Sequence, residues 1–213
     1  GLAFSTVVKS VKRKFNLVKV GHGGSLDAMA SGLLVLLIND ANKAVGEIMG
    51  ADREYTGTIR WGVKTDTHDV YGRVLETGPV PDASGLKARL DAVSADFTGD
   101  IFQTESRFCS VRKEGSSGYE VADTGEHKPF MAHVYRFDSE GNAFSIRGTK
   151  GLIVRTFVND LGAAVGCGAA LEALRRTRIG KLSVGEAIPF DRLLETDIRD
   201  FMPLVKSVAA VLR

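Results

Sequence analysis

The chain has 213 residues, 28 Lys and Arg against 26 Asp and Glu, and 44% hydrophobic residues, an ordinary globular composition sufficient for one large domain or two small ones. No apolar run approaches the ~20 residues needed to cross a bilayer, and the opening stretch is too basic for a secretory signal. Cys109 and Cys167 are the only cysteines, and neither has a Cys or His at metal-ligand spacing, so no disulfide framework, structural zinc or other metal is expected. A reducing cytoplasm is the expected compartment.

Ser5 is the expected N-cap of a first helix, with Val7, Val8, Val11 and Phe15 on one side and Lys9, Lys12 and Arg13 mainly on the other. This basic helix leads into a glycine-rich loop, Lys19 to Gly32. The apolar run Leu33 to Ile38 reads as a strand, and Asp40 to Met49 as a short helix. Arg53 to Gly62 alternates as a strand, with Tyr55, Gly57, Ile59 and Trp61 on one face. After a polar loop at 64–69, Tyr71 to Leu75 returns as a strand, and Pro79 and Pro81 end that unit. Leu86, Leu90 and Val93 give Ser84 to Phe97 helical spacing. Ile101 to Gln103 and Phe108 to Arg112 look like strands, and Glu114 to Gly118 like a turn. Ala132 to Phe137 and Ala143 to Arg147 flank a hairpin turn. Val154 to Val165 carries a helical apolar face closed by Gly166. Ala170 to Ile179 is expected to return to the sheet, although its alanines also suit a helix. Short helices near Phe190 to Leu194 and from Pro203 to Leu212 finish the chain. No internal repeat, low-complexity tract or linker is visible. The expected class is one α+β domain over residues 1–213, with a mixed, mainly antiparallel central sheet flanked by helices and loops.

The chemistry concentrates in Lys19-Val20-Gly21-His22-Gly23-Gly24-Ser25-Leu26-Asp27-Ala28-Met29-Ala30-Ser31-Gly32. Glycines at this density allow sharp turns and close ligand approach. Asp27 is the only acid between Gly1 and Ile38, so no neighbouring carboxylate suggests a metal cage or a paired-acid hydrolase. Ser25 has no His at a telling position for a triad. The loop also lacks the Walker lysine and the strand–turn–helix order of a nucleotide fold. From the residues alone, Asp27 is either a presented catalytic carboxylate or the cap of a glycine-rich turn. Two acid-free clusters, Lys9 to Lys19 and Arg175-Arg176 with Arg178 and Lys181, are possible footprints of a phosphate backbone or merely solvated faces.

In order along nearly the whole chain, four motifs resemble the TruB family of pseudouridine synthases. Lys19 to Asp27 is similar to the family's signature loop. Tyr55 to Gly62, with Thr65-Asp66-Thr67 and Asp69 to Gly72, resembles the second motif. Lys150 to Thr156 with Asn159 to Gly162 resembles the third, and Leu174 to Gly180 completes the run. One glycine loop would be weak; four ordered motifs are specific.

The resemblance implies the pseudouridine synthase fold and an isomerase that moves uracil of a tRNA T-loop uridine from its N- to its C-glycosidic linkage, with no metal or organic cofactor. By motif match, Asp27 is the catalytic carboxylate, Tyr55 stacks on the target base and is a candidate to remove its C5 proton, and Arg155 pairs with the acid. Leu174 matches an apolar wall of the uracil pocket, Asp69 an acid in the supporting network, and His22 the residue inserted into the RNA when the target flips out. Lys19 and Lys150 match motif lysines whose role is structural, phosphate-contacting or catalytic. Arg175 and Arg176 are expected RNA contacts. Singly, each has an ordinary alternative: a core tyrosine, a surface or capping arginine, a turn histidine.

The chain departs from the family pattern at Ala28, Ser25, Ile153 and Gln103-Thr104-Glu105, and matches it only loosely at Cys109 to Arg112. Residues 183–213 are too few for an independent β-barrel, so a separate C-terminal RNA-binding domain is not expected. The expected partner is the T-arm of tRNA, with no membrane and the chain acting as a monomer. Two other functions compete: a non-catalytic RNA-binding or tRNA-folding protein on this scaffold, and a nucleosidase acting on free nucleosides, which would leave the basic clusters without a role.

Overall fold

The structure, a computed structural model, describes residues 2–112 and 119–212; the turn expected at 114–118 lies outside the described residues. Helix α1 (Phe4–Lys14) precedes strands β1 (Val20–His22), β2 (Ser31–Gly32) and β3 (Leu36–Ile38), a 3-10 turn and α2 (Val45–Gly50). Strands β4 (Arg53–Trp61), β5 (Val63–Thr65) and β6 (Val74–Thr77) lead to α3 (Ala83–Val93). Then come β7 (Gly99–Gln103), β8 (Phe108–Arg112), β9 (Tyr119–Asp123), β10 (Phe130–Glu140) and β11 (Ala143–Gly148). Helix α4 (Val154–Val165), β12 (Ala169–Ile179), β13 (Leu182–Ser183), α5 (Phe190–Glu195), α6 (Ile198–Phe201) and α7 (Val208–Leu212) complete the order.

The central sheet has seven strands in the order β13-β12-β4-β11-β10-β7, with β2 added parallel to β12 and every other pairing antiparallel. The expected α+β architecture therefore holds. Strand β4 sits in the middle because it buries alternate residues: Tyr55, Ile59 and Trp61 face the core while Thr56 and Arg60 face solvent. Helix α4 covers that face with Val154, Phe157, Val158, Leu161 and Val165, each no more than 3% exposed. Full burial of such a side chain contributes about 1.5–3 kcal/mol, so this contact anchors the residues at the helix start. Gly166 ends α4 in the left-handed conformation, and Gly162 lets Ala169 pass so closely that a Cβ would fall 2.2 Å from its nitrogen. A second cluster joins α1 to the C-terminal helices through Val11, Phe15, Leu193 and Phe201, with the Phe15 and Phe201 rings stacked at 3.8 Å.

Several local expectations change. Ser5 is inside α1; the N-cap is Ala3, with no side-chain cap. Leu33 to Ile38 is not one strand. The chain pairs with β12 at Ser31–Gly32, bends, and pairs again with β1 only from Leu36, so its apolar side chains serve different neighbours. Asp40 to Met49 splits into 3-10 and α segments. Strand β6 starts at Val74 rather than Tyr71 because the preceding turn is tied by side chains: Asp69 accepts from the Tyr71 N–H at 2.9 Å and Asp66 from the Arg73 N–H at 2.8 Å.

Candidate active site

Three strands bring the loop motif to the sheet. Tyr55 on β4 lies opposite Arg176 on β12, and Arg176 lies beside Gly32 on β2, just after the Asp27 loop. Gly32 adopts φ +98°, and a Cβ there would meet the Arg176 carbonyl at 2.3 Å. Only glycine allows β2 to close on β12, so the loop is registered on the strand that carries Leu174 and Arg176.

Arg176 corrects the expectation of an RNA contact. It is 2% exposed, and its guanidinium donates to the carbonyls of Gly24 at 3.1 Å, Ser25 at 2.9 Å and Leu33 at 2.9 Å. One side chain thereby latches both ends of the Asp27 loop to the sheet. Buried carbonyls need such donors, and a guanidinium can satisfy several in one plane. Neighbouring Arg175 points the other way and is exposed, as alternation along a strand requires.

Asp27 is 37% exposed at its side chain, open to a substrate, while Arg155 is only 7% exposed. The Arg155 guanidinium donates from Nη1 to Asp27 Oδ1 at 3.0 Å and from Nη2 to Glu105. Burial opposes the charge on Arg155, but Asp27 and Glu105 outweigh it and hold its pKa above the usual value. Arg155 is placed by its helix. The Ile153 N–H at the start of α4 donates to Gln103 Oε1 at 3.0 Å, and Gln103 Nε2 returns a hydrogen bond to the Ile153 carbonyl at 3.1 Å. Gln103 ends β7, so sheet edge and helix start are locked together.

Tyr55, 8% exposed, belongs to the apolar cluster that contains Leu174 and packs against Leu26 and Met29. Burial raises its pKa above 10.0, against the lowering influence of Arg176 and Arg53, while the Asp27 charge adds to the rise. The phenol is therefore protonated at neutral pH, with two cations beside it able to stabilise a phenolate. Asp69 is 2% exposed and accepts from Thr67 Oγ1 at 2.9 Å, Ser110 Oγ at 2.8 Å and the Tyr71 N–H. It organises the loop after β5 and does not reach solvent. His22 is half-buried, its ring 4.9 Å from that of Phe4 on α1, and its Nδ1 accepts from the Gly24 N–H at 3.3 Å. Lys19 and Lys150 are exposed, the former before β1 and the latter in the turn leading to α4. Neither is drawn into the Asp27–Arg155 pair.

Two residues that the sequence did not single out join this neighbourhood. Glu105, read only as a departure from a motif, binds Arg155. His68 has φ +64° and approaches Thr156 Oγ1 at 3.4 Å from Nδ1; burial first, then Arg155 and Lys64, lower its pKa from 6.5 to about 4. Between those values the unfolded chain binds the proton more readily, so stability falls as pH drops through 6.5 and the loss is complete below about 4. At pH 5 the loss is about 2 kcal/mol. His68→Asn removes the titration while suiting a left-handed backbone. Urea unfolding at pH 7 and pH 5 should show the pH sensitivity reduced by about that amount; an unchanged difference would remove His68 from the account.

Residues 12–140 match the TruB family pseudouridylate synthase N-terminal domain, and residues 155–201 match the tRNA pseudouridylate synthase B C-terminal domain. The tRNA pseudouridine synthase B of Opitutus terrae is 39% identical over 195 residues, covering 88% of this chain and 80% of that protein. The protein of the same name from Azoarcus sp. is 36% identical over 201 residues, covering 91% of this chain and 66% of its relative. Among solved structures, an H/ACA RNP bound to a substrate RNA containing 2'-deoxyuridine includes a chain with a TM-score of 0.64 at 24% identity, covering 92% of this chain and 50% of its own. A Cbf5-Nop10-Gar1 complex gives a TM-score of 0.63 at 23% identity, covering 92% of this chain and 51% of that one, and both support the pseudouridine synthase fold. Sequence motifs, family match and fold agree: the chain belongs to the TruB family of pseudouridylate synthases.

Proposed function

We propose that this chain isomerises a T-loop uridine of tRNA to pseudouridine, with Asp27 as the essential carboxylate. The observation that carries the reading is an accessible acid, Asp27, ion-paired with a buried Arg155 beside the aromatic and apolar wall of Tyr55 and Leu174. A uridine inside a folded RNA loop must leave its stack before C1′ or C5 can be reached. Flipping costs about a few kcal/mol, which stacking on Tyr55 and filling of the vacated space by His22 would offset. Detaching uracil leaves an electron-poor ribose. Asp27 would assist as nucleophile or as charge stabiliser, and Arg155, paired with it at 3.0 Å, would hold it oriented. The same reading takes cytoplasmic tRNA as the substrate of a single copy of the chain.

The exposed bases Lys9, Lys12, Arg13 and Arg175 are candidate contacts for RNA phosphates, whereas Arg176 is engaged internally. Affinity for a T-arm hairpin should fall with salt at a slope of roughly −0.7 per phosphate neutralised in single-stranded regions. Lys9→Glu with Lys12→Glu should flatten that slope while turnover on saturating RNA survives. A slope unchanged by this reversal and by Arg175→Glu would place the RNA elsewhere. Product on the hairpin but not on free uridine selects this reading over a nucleosidase; tight binding without product would select a tRNA-folding protein.

A further inference from the structure

Arg155 is held by two carboxylates. Nη1 donates to Asp27 and Nη2 to Glu105, while Nε is buried without a partner among the described residues. The described hydrogen bonds of this buried cation therefore all depend on those two acids. Glu105 lies two residues beyond Gln103, whose side chain pins the start of α4, so its backbone is fixed relative to Arg155. It is 27% exposed at its side chain, less open than Asp27.

We propose that Glu105 is a positioning residue that keeps Arg155 neutralised when Asp27 gives up its charge. The proposal rests on the reading of Asp27 as the reacting carboxylate. If an Asp27 oxygen bonds to ribose C1′, the C1′–N1 bond breaks and its electron pair leaves with uracil, so the negative charge passes from Asp27 to the base, and without Glu105 the buried Arg155 would be left with no carboxylate. Breaking a buried ion pair from one side is strongly destabilising. Glu105 removes that penalty, because the guanidinium keeps one carboxylate throughout. In the resting site the same residue places a second negative charge close to Asp27, so one cation is divided between two anions.

Other groups face this triad. His127 Nδ1 is 3.7 Å from Glu105 Oε2. The Cys109 thiol on β8, raised in pKa by burial, also feels Arg155, Asp27, Glu105 and Asp69. His68 faces Arg155 from the loop after β5, and Tyr55 and Arg176 face Asp27 from the sheet. None of these is an anion hydrogen-bonded to Arg155, so none replaces Glu105.

A double-mutant cycle without RNA tests the sharing of charge. Asp27→Asn imitates the discharged acid, and Glu105→Gln keeps the acceptor shape without the charge. Each alone leaves Arg155 one carboxylate and should lower Tm by only a few degrees. Together they leave none, and the double variant should melt about 10 °C below the sum of the single effects. Asp27→Asn combined with Glu105→Asp restores a charge and should recover most of that loss. Additive single effects, or a failure of the Asp variant to recover stability, would overturn the proposal. Activity supplies a separate arm. Glu105→Gln should lower kcat by about tenfold or more with KM little changed, and Glu105→Asp should recover most of that loss. A purely architectural role would change stability without that split of kcat from KM, and an unchanged kcat would equally overturn the proposal. Absence of pseudouridine from the wild-type reaction would instead defeat the functional reading, and the melting cycle would still decide the charge sharing.

Discussion

Asp27→Asn should abolish isomerisation, lowering turnover by about 10⁴-fold or more, while RNA affinity stays within about tenfold. The substitution is nearly isosteric. An Asn carbonyl can still accept from Arg155 Nη1, and Glu105 remains on Nη2, so the guanidinium is not orphaned. The Arg176 latch binds main-chain carbonyls on either side of Asp27 and is indifferent to the side chain. The surface bases are untouched. What is lost is a negative charge at the accessible end of the ion pair, the feature the ribose step needs. Single-turnover assays at saturating T-arm hairpin, with binding measured in parallel, separate the two quantities. Near-normal turnover would remove Asp27 from the chemistry.

Tyr55→Phe should leave binding close to normal and reduce turnover by about 10²–10⁴-fold, the usual contribution of a general base. The ring is retained, so stacking and the contacts of the apolar cluster persist. The hydroxyl is lost, and with it the candidate base for the C5 proton. Because burial keeps the phenol protonated at neutral pH, single-turnover rates of the wild type should rise with pH through 8 to 9, and Tyr55→Phe should lack that rise. Tyr55→Leu should weaken binding too, since base–aromatic stacking is worth about 1–3 kcal/mol. A Phe variant as fast as wild type would leave Tyr55 as a platform alone.

Periodicity made the sheet legible. Alternation in β4 and the apolar spacing of α4 depend on burial against one another, and burial is written in residue type. The loop motif likewise pointed to Asp27, and its partnership with Arg155 is present at 3.0 Å. The 33–38 run reads as one strand because apolar character says that residues are buried but not against what, and in the structure the chain leaves β12 and pairs again with β1. Arg176 reads as an RNA contact for a similar reason. A run of arginines on a strand looks like one basic patch, yet alternation sends Arg175 to solvent and Arg176 under the loop. Glu105 was visible only as an oddity in a motif. Nothing local announces that it meets a helix residue fifty positions later, because the contact depends on β7 and α4 being joined through Gln103.

The most direct measurement is site-resolved mapping of pseudouridine in an unmodified full-length tRNA transcript incubated with the wild-type protein and, in parallel, with Asp27→Asn. The account predicts stoichiometric conversion of a single T-loop uridine by the wild type and none by the variant. Conversion at other positions only, or no conversion by a wild-type protein that binds the transcript, would contradict it.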